Sequence, residues 1–307
     1  MNFPKVTIVI INWNGFTDTK DCLTSLSKIS YKNYKVALVD NGSRNGEGQI
    51  LKKLFPNVKL ITNSKNTGFC EANNLGMLWA IKNGSQYVLL LNNDTIVAKD
   101  FLEKLLASFR KHPDAGIVNP KILYFKSSTI WAMGGKLATF PGIPRMIGQG
   151  SKTTSWTKDI VCDFASGCAM IMPINLVREV GLLDTRYFAY WEDTDYSFRV
   201  KRAGYKIWVN PQSIIWHKVS KSTLQKSLWR IGAIQSYLLA RNGLVFGKLN
   251  YSGLRKVIFL FSQIAIKFPL YLIFKVQDFD ASIKYTKGVW EGVVFLITNK
   301  LKKPYYV

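Results

Sequence analysis

The chain has 307 residues, enough for one large or two modest domains with a packed core. Hydrophobic residues make up 48% and aromatics 13%, which excludes global disorder. Lys and Arg number 42 against 19 Asp and Glu, a formal charge of +23 that points to a polyanionic partner: nucleic acid, acidic lipid or a phosphorylated substrate. Cys22, Cys70, Cys162 and Cys168 form no C-x-x-C pair and have two histidines in the whole chain to join them. That argues against a zinc site or disulfide framework and for a reduced, cytoplasmic compartment.

The first 120 residues alternate strand and helix patterns. Val6–Ile11 is a β-branched apolar run, too short for a signal-peptide core, and is predicted to be a strand. Helical spacing follows over Gly15–Ile29. Val36–Val39 is a second predicted strand, leading through a Gly/Asn/Ser turn into a short helix ending at Leu54. Val58–Thr62, Tyr87–Leu91 and Ile117–Val118 read as further strands, separated by helices over Gly68–Lys82 and Ala98–Lys111. This alternation predicts βαβ units and a mostly parallel sheet, which binds ligands at the carboxyl ends of its strands. Asn12–Asn14, Asp40–Ser43 and Asn92–Asp94 occupy those ends. Residues 120–160 are rich in Gly and Pro and read as an irregular flap. Phe164–Met172 is strand-like, a helix starts at Ile174, and another covers Tyr196–Ala203; Ser213–Trp216 is an apolar, strand-like run. No Gly-x-Gly-x-x-Gly or Walker A loop is present, which disfavours the folds built on them.

The C-terminal part is distinct. Residues 226–307 carry 13 Lys and Arg against 3 Asp and Glu and are the most apolar part of the chain. The chain therefore divides into an α/β domain, 1–225, and a basic, amphipathic helical region, 226–307. Ile258–Phe274 is 17 residues long with Lys267 and Pro269 inside it, short of the roughly 20 apolar residues of a membrane span. It reads as a helix lying on an anionic membrane surface or, alternatively, as a buried helix with solvated lysines. Nucleic acid is disfavoured, because no helix-turn-helix, RRM or KH signature accompanies the charge.

Several residues have the chemistry of a site. Asp40 suits an imide N–H of a pyrimidine or a ribose hydroxyl, although Asp-Asn-Gly-Ser is equally a good turn. Asp94 suits a divalent cation bridging two phosphates, or a helix cap. Glu192, Asp193 and Asp195 follow Tyr190 and Trp191; aromatic faces beside carboxylates suit a sugar, and a carboxylate there can act as a general base. His217 ends an apolar strand and is either structural or a ligand for Mn²⁺, whereas His112, before Pro113, reads as structural. Gly167 interrupts an apolar strand, which marks either a bulge or close approach by a ligand.

In their order and spacing, VTIVIINWNG (6–15), LVDNGSRNG (38–46), NTGFCEANNLGM (66–77), LLLNNDT (89–95), ASGCAMIMP (165–173) and GLLDTRYFAYWEDTDYSFRVKRAGY (181–205), followed by His217, resemble the family 2 glycosyltransferases with a GT-A fold. The bacterial rhamnosyltransferase-like branch is the nearest match, over about residues 5–220. The resemblance implies an α/β catalytic domain with a Rossmann-like, mostly parallel sheet. It also implies inverting transfer from a UDP- or dTDP-sugar, with dTDP-rhamnose as the branch-level donor, to a glycan or lipid-linked acceptor. By motif position, Ile11 and Trp13 flank the base and Asp40 binds it; Asn66, Asn73, Asn93 and Asp94 line the nucleotide. Asp94 and His217 hold Mn²⁺ or Mg²⁺, Asp193 is the catalytic base, and Gly167, Trp191 and Glu192 shape the sugar and acceptor side. One departure is Asn92, which stands where the family commonly has the first Asp of Asp-x-Asp. Tyr237, Arg241 and Asn242 look like the helix that follows the catalytic domain in this branch. The implied location is cytoplasmic, at the inner face of the membrane. Two rivals stand beside this reading. A nucleotidyltransferase would lack its Gly-rich phosphate loop, and a non-catalytic polyanion-binding protein leaves the strand-end acids unexplained.

Overall fold

The computed structural model describes residues 3–219, 232–274, 278–301 and 304; the boundary read at 225/226 lies outside them. In chain order the elements are β1 (Val6–Asn12), α1 (Phe16–Leu26), β2 (Tyr34–Asn41), α2 (Glu47–Leu54), β3 (Lys59–Asn63), α3 (Gly68–Lys82), β4 (Tyr87–Leu91), β5 (Thr95–Val97) and α4 (Phe101–Lys111). Then come β6 (Ala115–Tyr124), β7 (Ile130–Ala132), β8 (Gly135–Lys136), β9 (Arg145–Met146), β10 (Ile160–Cys162), β11 (Ala169–Pro173), α5 (Ile174–Val180), α6 (Glu192–Arg202) and β12 (Lys206–His217). The C-terminal part is helical: α7 (Ala233–Asn250), α8 (Gly253–Phe261), a π-helical turn (Ser262–Lys267), α9 (Phe268–Phe274) and α10 (Phe279–Thr298).

The main sheet runs β10-β12-β6-β11-β4-β1-β2-β3, with β5 added to β12 and β7 to β6. Strands β3, β2, β1 and β4 are mutually parallel, and β12 is parallel to β6. β11 runs antiparallel between β4 and β6. This topology gathers the site. The carboxyl ends of β1, β2, β4 and β12 and the amino end of β11 all fall on one edge of the sheet. The central strands are apolar on both faces because helices cover both. Val9 and Leu90 pack towards α3, while Ile8, Ile10 and Leu89 pack towards α1 and α4.

The expected elements are present with shifted ends. The sixth strand runs from Ala115 to Tyr124 and the last to His217 over 12 residues, both longer than the apolar runs that announced them. They sustain each other by pairing, through two register shifts. The segment read as an irregular flap contains β7, β8, β9 and β10. The helix expected from Tyr196 starts at Glu192, so the acids stand inside its first turn, where they complement the helix dipole. α8, the π-turn and α9 form one rod, and Gly253–Ile273 is long and apolar enough to cross a membrane by length and composition. One side of the rod is buried against the protein: Phe259 and Ser262 are fully enclosed, and Gln263 Nε2 donates to the Gly142 carbonyl at 3.0 Å.

Candidate active site

Asn12 ends β1 fully buried and ties the strand ends together. Its Oδ1 accepts from Thr19 Oγ1 (2.7 Å), and its Nδ2 donates to Ser43 Oγ (2.9 Å), Glu47 Oε2 (3.0 Å) and Asp40 Oδ1 (3.3 Å). Trp13, the next residue, turns outward and is 49% exposed. Two cavities of about 250 and 280 Å³ meet there and share Ile11, Trp13 and Phe69. The first is also lined by Asn73 and Leu91–Asp94, the second by Asn41, Asn66, Gly68 and Phe188–Tyr190. Six of the seven residues expected at the nucleotide therefore line one cleft: Ile11, Trp13, Asn66, Asn73, Asn93 and Asp94.

Asp40 stands apart from these six. It is buried beside Asn12, and a Cβ on Gly48 would sit 2.5 Å from its Oδ2. Side chains alternate along a strand, so the cavity-facing residue at the end of β2 is Asn41. Its amide donates to Asn66 Oδ1 (2.9 Å) and accepts from Asn63 Nδ2 (2.9 Å) and the Thr67 N–H (3.1 Å).

At the other end of the cleft, β5 pairs with β12 in the register Thr95–His217. That pairing brings His217 Nε2 to 3.0 Å from Asp94 Oδ1. Asp94 Oδ1 and His217 Nδ1 are both buried without a hydrogen-bond partner. The two atoms that face each other, Asp94 Oδ1 and His217 Nε2, fit two ligands of a divalent cation of the Mn²⁺ type, while the unpartnered Nδ1 belongs to the other side of the ring. Among the described residues no group of three or more His, Cys, Asp or Glu gathers, so such a cation would take its other ligands from water and substrate, as Mg²⁺ and Mn²⁺ sites commonly do. It would supply charge neutralisation at a diphosphate.

The acids of α6 sit across this edge. Asp193 Oδ2 accepts from the Gly167 N–H (2.9 Å), and its Oδ1 accepts from the Thr194 N–H (2.6 Å) and Thr194 Oγ1 (3.1 Å). Cys168, after Gly167, accepts from the Asn92 N–H at 2.9 Å. The two halves of the site are thus linked through backbone. Burial raises the Asp193 carboxyl above its ordinary range, while the Gly167 and Thr194 N–H groups draw it back down. Glu192 is pushed well above the usual carboxylate range by burial and by the Asp193 charge, and its Oε2 has no hydrogen-bond partner. The pair is therefore differentiated: Asp193 holds the hydrogen bonds that favour a carboxylate, and Glu192 is the acid pushed further towards its protonated form. Asp195 has a structural role, receiving Tyr187 (3.0 Å), Arg199 (2.9 Å) and Asn250 (2.7 Å).

The loop before α6 is strained. Phe188, Tyr190 and Trp191 have φ of 65°, 66° and 73°, a region that costs bulky residues about 1–3 kcal/mol each. α7 holds it in place. Asn242 Nδ2 lies 2.8, 2.8 and 2.9 Å from the carbonyls of Tyr187, Ala189 and Tyr190, Arg241 Nη1 donates to the Arg186 carbonyl (3.0 Å), and Trp191 Nε1 donates to Leu239 (3.3 Å). Gly68 meets the loop from the other side; a Cβ there would lie 2.5 Å from the Phe188 ring. Sequence reasoning noticed Arg241 and Asn242 without giving them a role. The signal was an Arg-Asn pair inside an otherwise apolar helix, since such groups are buried when they have partners.

A model of the glycosyl transferase family 2 matches residues 7–174. The N-acetylglucosaminyl-diphospho-decaprenol L-rhamnosyltransferase of Mycobacterium tuberculosis is 23% identical over 236 residues, covering 69% of this chain and 75% of that protein. The poly-beta-1,6-N-acetyl-D-glucosamine synthase of Staphylococcus epidermidis is 24% identical over 277 residues, covering 87% of this chain and 63% of that one. Among solved structures, GalNAc-T7 with UDP, GalNAc and Mn²⁺ superposes with a TM-score of 0.60 at 16% identity, covering 88% of this chain and 57% of that chain. The fold is GT-A: a mostly parallel sheet with the cleft at its strand ends. The chain belongs to glycosyl transferase family 2 and is a glycosyltransferase.

Proposed function

We propose that the enzyme transfers a sugar, with inversion, from a nucleoside diphosphate sugar to a hydroxyl of a lipid-linked or glycan acceptor at the cytoplasmic face of a membrane. The observation that carries this reading is Asp193: a carboxylate in the first turn of α6 that accepts the Thr194 N–H and the N–H of Gly167, which is next in chain to Cys168, whose carbonyl holds the Asn92 N–H beside Asp94. In the step, Asp193 takes the acceptor hydroxyl proton as the new C–O bond forms at the anomeric carbon. The bond from that carbon to the diphosphate breaks, and the nucleoside diphosphate leaves. Ile11, Trp13, Asn66, Asn73 and Asn93 bind the nucleotide, with Asp40 behind them and Asn41 facing the cavity. Asp94 and His217 would hold Mn²⁺ or Mg²⁺, which would neutralise charge on the leaving diphosphate, and Gly167, Trp191 and Glu192 form the sugar and acceptor side. Similarity to a rhamnosyltransferase supports dTDP-rhamnose or a UDP-sugar as donor. Residues 1–225 form the catalytic domain, and 226–307 attach it to an anionic membrane.

Thermal unfolding with UDP, dTDP, GDP and ADP, each with and without Mn²⁺, tests the site. A ligand at 100 times its Kd adds about 2.7 kcal/mol, a shift of several degrees. A pyrimidine diphosphate is expected to shift the midpoint with metal present, and Asp193→Asn is expected to keep that shift while transfer collapses. Undiminished transfer in D193N removes the base assignment, and release of pyrophosphate in place of a nucleoside diphosphate replaces the reaction with nucleotidyl transfer.

A further inference from the structure

Lys267 is a half-buried cation without a counter-ion. All 19 Asp and Glu side chains fall among the described residues, and none pairs with its amine. Its Nζ donates to Gln263 Oε1 at 3.1 Å and stands 5.5 Å from the centroid of the Trp191 ring. Trp191 directly precedes Glu192 and Asp193. Position 267 follows the buried Phe259 and Gln263 at four-residue spacing along the inner side of the rod and closes the π-turn, and such turns recur at functional sites. Burying an unpaired cation is costly. Burial pulls this amine down to about 8, and no carboxylate stands beside it to offset its charge.

We propose that Lys267 binds the phosphoryl group joining the acceptor sugar to its lipid. This rests on the lipid-linked acceptor of the proposed function. The same rod presents Leu254, Val257, Phe261 and Ile273 outward and Lys267 inward. A lipid phosphate at the bilayer surface would meet the amine while its sugar extends past the buried Trp191 towards the half-exposed Tyr190 and the acids.

The test uses the full chain with its donor site filled by the nucleoside diphosphate and Mn²⁺ that shift its unfolding. Farnesyl diphosphate, inorganic diphosphate and phosphatidylglycerol vesicles are titrated into wild type, Lys267→Arg and Lys267→Met. Farnesyl diphosphate is expected to bind wild type and K267R, and to bind K267M at least tenfold more weakly, with the nucleotide shift unchanged. The folding control has a definite sign. The unfolded amine, near 10.5, holds its proton more tightly than the folded one at about 8, so the charge costs stability as pH falls below 10.5 and the cost is complete below about 8. K267M should therefore unfold no lower than wild type at pH 7. Equal affinity of K267M for farnesyl diphosphate overturns the proposal. So does an equal loss with inorganic diphosphate, which makes the ligand a free phosphoryl anion, or an equal loss of vesicle binding, which makes it a phospholipid headgroup. Absence of any nucleotide shift in wild type refutes the transferase reading instead.

Discussion

Glu192 and Asp193 are neighbours of the same chemical type in opposite hydrogen-bonding environments. Asp193 receives two backbone N–H groups and a hydroxyl, all of which favour its ionised form, whereas Glu192 Oε2 receives nothing. Deprotonating Glu192 would bury a second charge beside the first, so the pair titrates as a unit with Asp193 losing its proton first. Transfer then needs Asp193 ionised. The rate should fall on acidification, with the limb lying above the ordinary aspartate value of 3.8 because burial raises this carboxyl. Glu192→Gln reproduces the protonated state and should keep transfer within about tenfold, whereas D193N removes a general base and should cost about 10²–10⁴-fold. Initial rates of the two variants across pH decide it; equal losses in both would show that Glu192 shares the base role.

At the level of elements, the site depends on a helix outside the segment matched by the family model. α7 holds three residues in the left-handed region through Asn242, and the direction of α6 follows from that loop. Asn242→Asp separates its two functions. The aspartate keeps an oxygen where Asn242 Oδ1 accepts from Arg241 at 2.6 Å, but it loses the N–H donors to the three carbonyls. The expected result is a fall in kcat of at least tenfold, the nucleotide-induced unfolding shift retained, and faster hydrogen exchange over residues 188–194. Loss of the nucleotide shift in parallel with kcat would show a general packing defect. This division also marks what was legible in the sequence. β1, β2, β4 and α3 were read from local patterns, and the residues at their ends follow because a parallel sheet exposes its carboxyl edge. β5 is three residues long and exists by pairing with β12, so no local pattern announces it; Asp94 meets His217 through it. Asp40 and Asn41 could not be separated either, because which face of β2 looks into the cleft is fixed by helix packing. The left-handed Phe188, Tyr190 and Trp191 contradict their own propensities, and the α7 residues that hold their loop are 48 to 55 residues away.

The charge and the apolar surface belong together at the scale of the whole molecule. Leu254 (73% exposed), Phe261 (59%) and Ile273 (66%) form an outward stripe along the rod, and Phe279, Trp290 and Ile297 are exposed along α10. Arg255 and Lys256 flank the first set, and Lys284, Lys287 and Lys300 the second. Such a surface suits the headgroup region of an anionic leaflet. The rod's length alone would also allow a span, but a spanning helix would have to release Phe259, Ser262 and Gln263 from the protein and break the bond to Gly142. Lying flat keeps them. Burying a Leu- or Ile-sized side chain contributes about 1.5–3 kcal/mol, so replacing both Leu254 and Ile273 by Glu should weaken vesicle binding by roughly 100-fold or more. Wild type is expected to sediment with vesicles rich in phosphatidylglycerol, less with neutral ones, and less again as salt rises. The L254E/I273E variant should stay in the supernatant, with its nucleotide-induced unfolding shift intact because neither side chain lines the cleft. If the double variant still sediments and salt alone releases it, attachment is electrostatic and the stripe faces another protein surface. If wild type binds neutral vesicles as tightly as anionic ones, the basic residues serve the acceptor phosphate rather than the leaflet.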